Sequence, residues 1–166
     1  MSDVLYVIWR DERKEEQEAA VMKGFTTAEM KRFNYLVGET DAAYHEAAQK
    51  LGLSDSVMQI FYIICDNGDK YPISDICRLS GISKQTINSA LRRLETEGMI
   101  YLENASGKKK RVCLTDKGKK LAEDTVVRLI EIENSILDSW PEEEVEQYLR
   151  LTGKYLQEFR EKIKEL

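Results

Sequence analysis

Histidine and patterned glycine are what this chain lacks. A single histidine, His45, leaves no H-E-x-x-H metal site and only one possible base for a cysteine–histidine pair. The nine glycines are scattered and form neither a G-x-G-x-x-G turn nor a phosphate loop. An enzyme is therefore not expected, and no cofactor is implied. The three cysteines, Cys65, Cys77 and Cys113, are odd in number and show no C-x-x-C spacing, which argues against a zinc site and a disulfide framework. Long apolar runs are missing too. The richest window, residues 57–65, is nine long and contains Gln59, against about 20 apolar residues for a membrane span. The apolar opening at residues 4–9 has no basic stretch before it and no small-residue cleavage site, and it runs into Asp11-Glu12. A cytoplasmic protein is the expectation.

Positive charge is also scarce overall, with a net charge of −5 for 166 residues, which on its face argues against nucleic acid. The distribution reverses that reading. Residues 72–115 hold eight Lys/Arg and four Asp/Glu, a net +4, while the segments before and after are at −5 and −4. Positive potential is thus gathered on one stretch, and the acidic flanks discourage non-specific binding elsewhere.

That stretch has its own pattern. A short apolar helix is expected over Ile73, Ile76, Cys77 and Leu79, a break at Ser80-Gly81, and a longer helix carrying Ile87, Leu91 and Leu94. This is a helix-turn-helix, with Cys77 as the small residue at the crossing and Gly81 tolerating the turn. Ile82 and Ile87 plug the angle between the helices, and Ser83 is placed to cap the second one. The opposite face carries Lys84, Gln85, Thr86, Asn88, Ser89 and Arg92, residue types that hydrogen-bond base edges and phosphates, gathered where the helix dipole favours an anion.

Gly98 ends the helix. Met99 to Glu103 and Arg111 to Thr115 then read as two strands joined by a polar turn, with Lys108, Lys109, Lys110 and Arg111 at its end. A hairpin with four cations after such a helix suits a wing that grips phosphates or probes a minor groove.

These residues carry a resemblance. Ser83-Lys84-Gln85-Thr86-Ile87, the Leu94-Glu95 pair before Gly98-Met99-Ile100, and the exit Leu114-Thr115-Asp116-Lys117-Gly118 resemble the MarR family of winged helix-turn-helix transcriptional regulators, densely from about residue 53 to 118. Many members have an acidic residue followed by arginine at the wing tip. Here the tip is Ser106-Gly107-Lys108-Lys109-Lys110, and lysines lack the bidentate fork, so phosphate contact is expected ahead of minor-groove reading.

The flanks complete the expectation. Thr26-Thr27-Ala28-Glu29 reads as a capping box opening a helix of roughly six turns with Met30, Phe33, Val37, Tyr44, Ala48 and Leu51 along it. Ser54 begins a support helix with Val57, Ile60, Phe61 and Ile64, closed by Asn67-Gly68. After the wing, Thr115 caps a helix running to about Ser139. Pro141 and Glu142 to Glu144 then open a last helix whose stripe is Val145, Tyr148, Leu149, Thr152, Leu156, Phe159 and Ile163. The charge run at residues 11–18 reads as a solvated helix face.

The fold class is mainly α with a small β-hairpin wing (α+β). We expect one domain over residues 1–166: a winged helix-turn-helix at 53–115, dimerisation helices at 26–52 and 116–166, and an N-terminal extension at 1–25. The long helices expose more apolar surface than the winged region can cover, so a homodimer is expected, with its two recognition helices about 34–36 Å apart on double-stranded DNA. By the resemblance, it represses at a pseudo-palindromic operator and is released by a small-molecule effector or an oxidant. The alternatives are a redox-responsive regulator, for which Cys113 with Arg111 nearby is the best thiol, and a winged-helix protein-interaction module without specific DNA binding. His45 beside Tyr44 is a packing residue or a contact to an effector.

Overall fold

Helices account for most of the chain, and the small sheet falls where the sequence becomes β-branched and aromatic. The computed structural model describes residues 26–68, 70–104 and 110–166. The expectations for residues 1–25, and for Lys108 and Lys109, lie outside the described residues. The chain divides into two units, residues 1–43 and 44–166.

In the first unit the described structure is the opening of helix α1 (Ala28–Lys50). Its cap is Thr27, whose Oγ1 accepts the Met30 amide at 3.2 Å. The expected box from Thr26 to Glu29 is thus corrected: the helix starts one residue later, and Glu29 falls in the first turn. There its charge still complements the dipole, but it cannot reach back to close a box. Phe33, Tyr35, Leu36 and Val37 are exposed along this part of α1.

The second unit is built on α2 (Asp55–Asp66). Ser54 caps it, and six apolar residues, Val57, Met58, Ile60, Phe61, Ile63 and Ile64, are buried, so it is apolar around most of its girth. Around it lie β1 (Lys70–Pro72), α3 (Ile73–Ser80), α4 (Lys84–Thr96), β2 (Ile100–Asn104), β3 (Lys110–Leu114), α5 (Asp116–Asp124) and α6 (Val126–Asp138). The core joins α2 to Ile76, Ile87, Leu91, Leu94, Ile100, Val112, Leu114, Ala122, Val126 and Leu129. The chain then continues in α7 (Glu142–Lys162) and a short 3₁₀ turn, Ile163–Glu165.

The sheet is antiparallel in the order β1-β3-β2, with Ile100 opposite Leu114, Asn104 opposite Lys110, and Lys70 opposite Cys113. The expected hairpin is therefore a three-stranded sheet. Lys70-Tyr71-Pro72 is too short to show alternation, and Pro72, with no N–H, sits on an edge strand as it must. The two expected strands are also shifted: β2 begins at Ile100, and β3 ends at Leu114 because Thr115 is spent on capping α5.

Two helical expectations need correction. The helix expected from Thr115 to Ser139 is broken at Thr125, whose backbone leaves the helical region (φ −129°, ψ −88°). Thr125 is buried, and its hydroxyl donates to the Leu121 carbonyl, the kind of back-bonding that bends helices; the turn lets Ala122 and Val126 both face the core. Leu79, counted among the apolar positions of α3, is 45% exposed. Six positions on from Ile73, it falls past the edge of the stripe made by Ile73, Ile76 and Cys77. Helix α7 has no buried residue; Tyr148, Leu149, Leu156 and Phe159 lie on its surface.

Candidate nucleic-acid interface

Helix α4 is the candidate reading element, and its local sequence explains how it is presented. Gly81 turns the chain out of α3 at φ 64°. Ser83 then caps α4, its Oγ accepting the Thr86 amide at 3.1 Å and lying 2.8 Å from Thr86 Oγ1. Ile87, Ala90, Leu91 and Leu94 are buried, which rotates the opposite face outward. On that face Ser83, Lys84, Gln85, Thr86, Ser89 and Arg92 are exposed and Asn88 is half-buried.

Their chemistry divides them. Ser83 and Thr86 are engaged in the cap, so they shape the helix start while keeping spare acceptor capacity. Lys84, Gln85, Ser89 and Arg92 hold no hydrogen bond or ion pair among the described residues, so their donors are available to an incoming ligand. The neighbouring Arg93 is different: its Nε donates to Glu97 Oε1 at 2.8 Å, which ties it to its own helix.

The wing is joined to α4 through β2, which packs against that helix. Lys110 and Arg111 open β3 and are both exposed, opposite Asn104 and Glu103 respectively. The reading face and the described cations of the wing thus leave the same small sheet-and-helix core.

The other sequence candidates separate. Cys113 is 1% exposed, not the accessible thiol that its neighbour Arg111 suggested. Burial pushes its thiol pKa up, and Glu103, whose Oε2 lies 3.7 Å from the sulfur, adds to that. A sensing thiol needs the opposite, a lowered pKa and access. His45 is more than half exposed; its Nδ1 lies 2.9 Å from both Asp55 oxygens, and its Nε2 is 2.8 Å from Gln49 Nε2. That arrangement has the Gln49 amide donating to Nε2 and the Nδ1–H donating to Asp55. Among the described residues no group of three or more His, Cys, Asp or Glu is placed to hold a metal ion.

Two polar constellations were not anticipated. Glu133 on α6 takes the hydroxyl of Tyr62 on one carboxylate oxygen at 2.6 Å and that of Tyr44 on the other. Burial, then the bond to Glu133, raises both phenols, with Tyr44 pushed up to about 12. The second constellation is the run Thr115 to Gly118, whose side chains reach the end of α4. No periodicity marks Glu133, because its partners lie 71 and 89 residues away. Thr115 was legible as a helix cap, but nothing local marks the reach of Thr115 and Lys117 to the end of α4.

Residues 51–111 match the sequence model of the MarR family. The match spans the helix-turn-helix and the first wing strand, so this region is similar to the MarR family. No curated protein sequence matches the chain. Among solved structures, the chain is similar to a MarR family regulator from Neisseria meningitidis (13% identity, 84% of this chain and 99% of that one, TM-score 0.74). It also resembles MepR of Staphylococcus aureus in complex with DNA (21%, 81% and 99%, 0.61). A third likeness is to BpsR of Bordetella bronchiseptica, whose DNA binding is regulated by 6-hydroxynicotinic acid (18%, 75% and 98%, 0.57). The MarR-family fold, mainly helical with a small antiparallel sheet, thus extends over most of the chain. No helix among the described residues is long and apolar enough to cross a membrane.

Proposed function

We propose that this chain is a sequence-specific DNA-binding transcriptional regulator. In this reading it acts as a homodimer that occupies a pseudo-palindromic operator, represses by occlusion, and is released by a small-molecule effector. The observation that carries it is α4: a helix held by its buried side, with Lys84, Gln85 and Ser89 exposed and uncommitted in its capped N-terminal half and Arg92 on the following turn.

In this role Gln85 and Asn88 supply paired donors and acceptors for base edges, Lys84 and Arg92 bind phosphate or guanine, and Ser83, Thr86 and Ser89 add shorter contacts. Lys108, Lys109, Lys110 and Arg111 grip the backbone beside the groove. Homodimerisation is supported by the apolar surface of α7, which one chain leaves uncovered. Kinship with proteins seen on DNA and regulated by a small aromatic acid supports the operator and effector parts. The thiol-sensing alternative is disfavoured by the burial of Cys113. A protein-interaction module without DNA is disfavoured by the net +4 of residues 72–115 in an acidic chain.

Selection of duplexes by the purified protein from a random library, followed by a salt titration on the best site, tests the reading. An inverted repeat with half-sites about one helical turn apart is expected. Lys110→Ala should reduce the slope of log K against log salt by about 0.9 and weaken all sequences alike. Gln85→Ala or Asn88→Ala should instead cost roughly 1 to 3 kcal/mol on the selected site only. Weak binding with no sequence preference would overturn it.

A further inference from the structure

Resting on the DNA-reading role above, we propose that Thr115, Lys117 and Gly118 form a latch that holds the wing at a set angle to the recognition helix. They are positioning residues for base reading, beyond their part in starting α5.

The latch begins where α4 stops. Its last turn closes with the Gly98 amide donating to the Glu95 carbonyl at 3.0 Å and the Met99 amide to the Leu94 carbonyl at 2.9 Å, with Gly98 at φ 70°. That pair of bonds finishes the helix, yet it leaves the carbonyls of the three connecting residues, Glu97, Gly98 and Met99, without a partner in the helix. These are also the only residues between the end of α4 and the start of β2, so they are the pivot on which the wing could swing.

All three carbonyls are taken by one short segment on the far side of the wing. Lys117 Nζ donates to the Glu97 carbonyl at 2.9 Å. The Thr115 hydroxyl lies 2.7 Å from the Gly98 carbonyl and 3.1 Å from that of Met99, so its proton is shared between them. The Thr115 amide donates to the Met99 carbonyl at 3.0 Å. The same hydroxyl accepts the Gly118 amide at 3.1 Å, so one side chain both starts α5 and grips the end of α4. Gly118 makes the approach possible, since a Cβ there would stand 2.0 Å from the Met99 oxygen. This is a contact that no side-chain-bearing residue could keep.

The β2–β3 ladder cannot do this work alone. Its pairing, from Ile100 opposite Leu114 to Asn104 opposite Lys110, fixes the two wing strands to each other. Packing of β2 on α4 limits the angle of that pair to the helix, and the pivot residues complete the joint. The latch ties the wing's exit to that pivot, so the wing cations and Gln85, Asn88 and Arg92 present one rigid pattern to a duplex. Ligand-reading groups need such a supporting shell.

The test compares the full-length protein with Thr115→Val, Thr115→Ser and Lys117→Met. Each is assayed on the duplex selected by the wild type and on a random duplex of equal length, with thermal stability measured alongside. Thr115→Val should lower the ratio of selected-site to random-site affinity about tenfold, the value of one good base contact. Thr115→Ser, which keeps the hydroxyl, should restore the ratio. Lys117→Met, at an exposed position outside the cap, should shift it in the same direction by less, and it decides the matter if Thr115→Val does not fold. A change in stability alone, with the ratio held in folded Thr115→Val and Lys117→Met, would overturn the latch and leave the DNA-binding reading intact. Equal weakening on both duplexes would also overturn it, because that is the signature of a lost phosphate contact. A wild type that prefers no sequence would overturn the DNA-binding reading and the latch with it.

Discussion

Helices α2 and α7 are both amphipathic, yet α2 buries six of its twelve residues and α7 none of its twenty-one. In the sequence the two stripes, Val57-Ile60-Phe61-Ile64 and Tyr148-Leu149-Leu156-Phe159, look alike. The difference is what lies opposite. Helix α2 meets α3, α4, α5 and α6 of its own chain, so its apolar area is removed from water when the chain folds. Helix α7 keeps a stripe of aromatic and aliphatic side chains in contact with solvent. One helix is part of a core that exists in a single chain; the other presents a stripe that, under the proposed homodimer, a second copy would cover.

That contrast can be broken by mutation, beginning where the effect should be largest. Phe61 is fully buried in α2, and Phe61→Ala should remove about 3–5 kcal/mol of stability as measured by denaturant unfolding. A loss below 1 kcal/mol would mean that α2 is not the centre of the core.

On α7, Leu149 is 57% exposed, and in an isolated chain Leu149→Lys should change stability by no more than about 0.5 kcal/mol. If a second copy covers it, burial is worth about 1.5–3 kcal/mol per side chain. Light scattering should then show the mass falling from two chains towards one on dilution of the Leu149→Lys protein, at concentrations where the wild type stays paired. A wild type that is itself monomeric at micromolar concentration would remove the contrast.

The smallest expected effect concerns the joint between α2 and α6. Tyr62→Phe deletes one hydroxyl from Glu133 and should cost on the order of 1 kcal/mol. Alkaline pH provides the companion measurement. The Tyr44 phenol is raised in the folded chain from 10.0 to about 12, and Tyr62 is raised as well. A folded value above the unfolded one means that the contribution is complete below pH 10.0 and disappears as pH climbs towards about 12. The thermal midpoint of the wild type should therefore fall across that interval more steeply than that of the double variant Tyr44→Phe, Tyr62→Phe. Parallel curves would show that these hydroxyls do not support the joint.

The exposed polar face of α4 was legible because every signal for it is local. Ser83 caps three residues ahead, Gly81 turns at the position between two apolar stripes, and Ile87, Leu91 and Leu94 fix the buried side of α4 within two turns. The same holds for Ser54 before α2, Thr115 before α5, and the Gly98 that closes α4. What failed was information held by distant pairs. The strand at Lys70 exists because Cys113, 43 positions later, runs beside it, and neither neighbourhood announces the other. Cys113 looked reachable beside Arg111, whereas the folded sheet buries it. Thr125 sits in a run that is helical by periodicity and breaks there because Ala122 and Val126 are both drawn into the core.

By itself, then, the sequence determined most of the helix caps, which face of each helix is apolar, and where positive charge is gathered. Caps, periodicity and turn chemistry operate within about four residues of the chain. Only the tertiary structure decided which apolar faces find cover in this chain, which hydroxyls reach Glu133, and that Thr115, Lys117 and Gly118 close on the end of α4. Each of those depends on groups brought together by folding, and a contact between distant positions leaves no periodic mark in either of them.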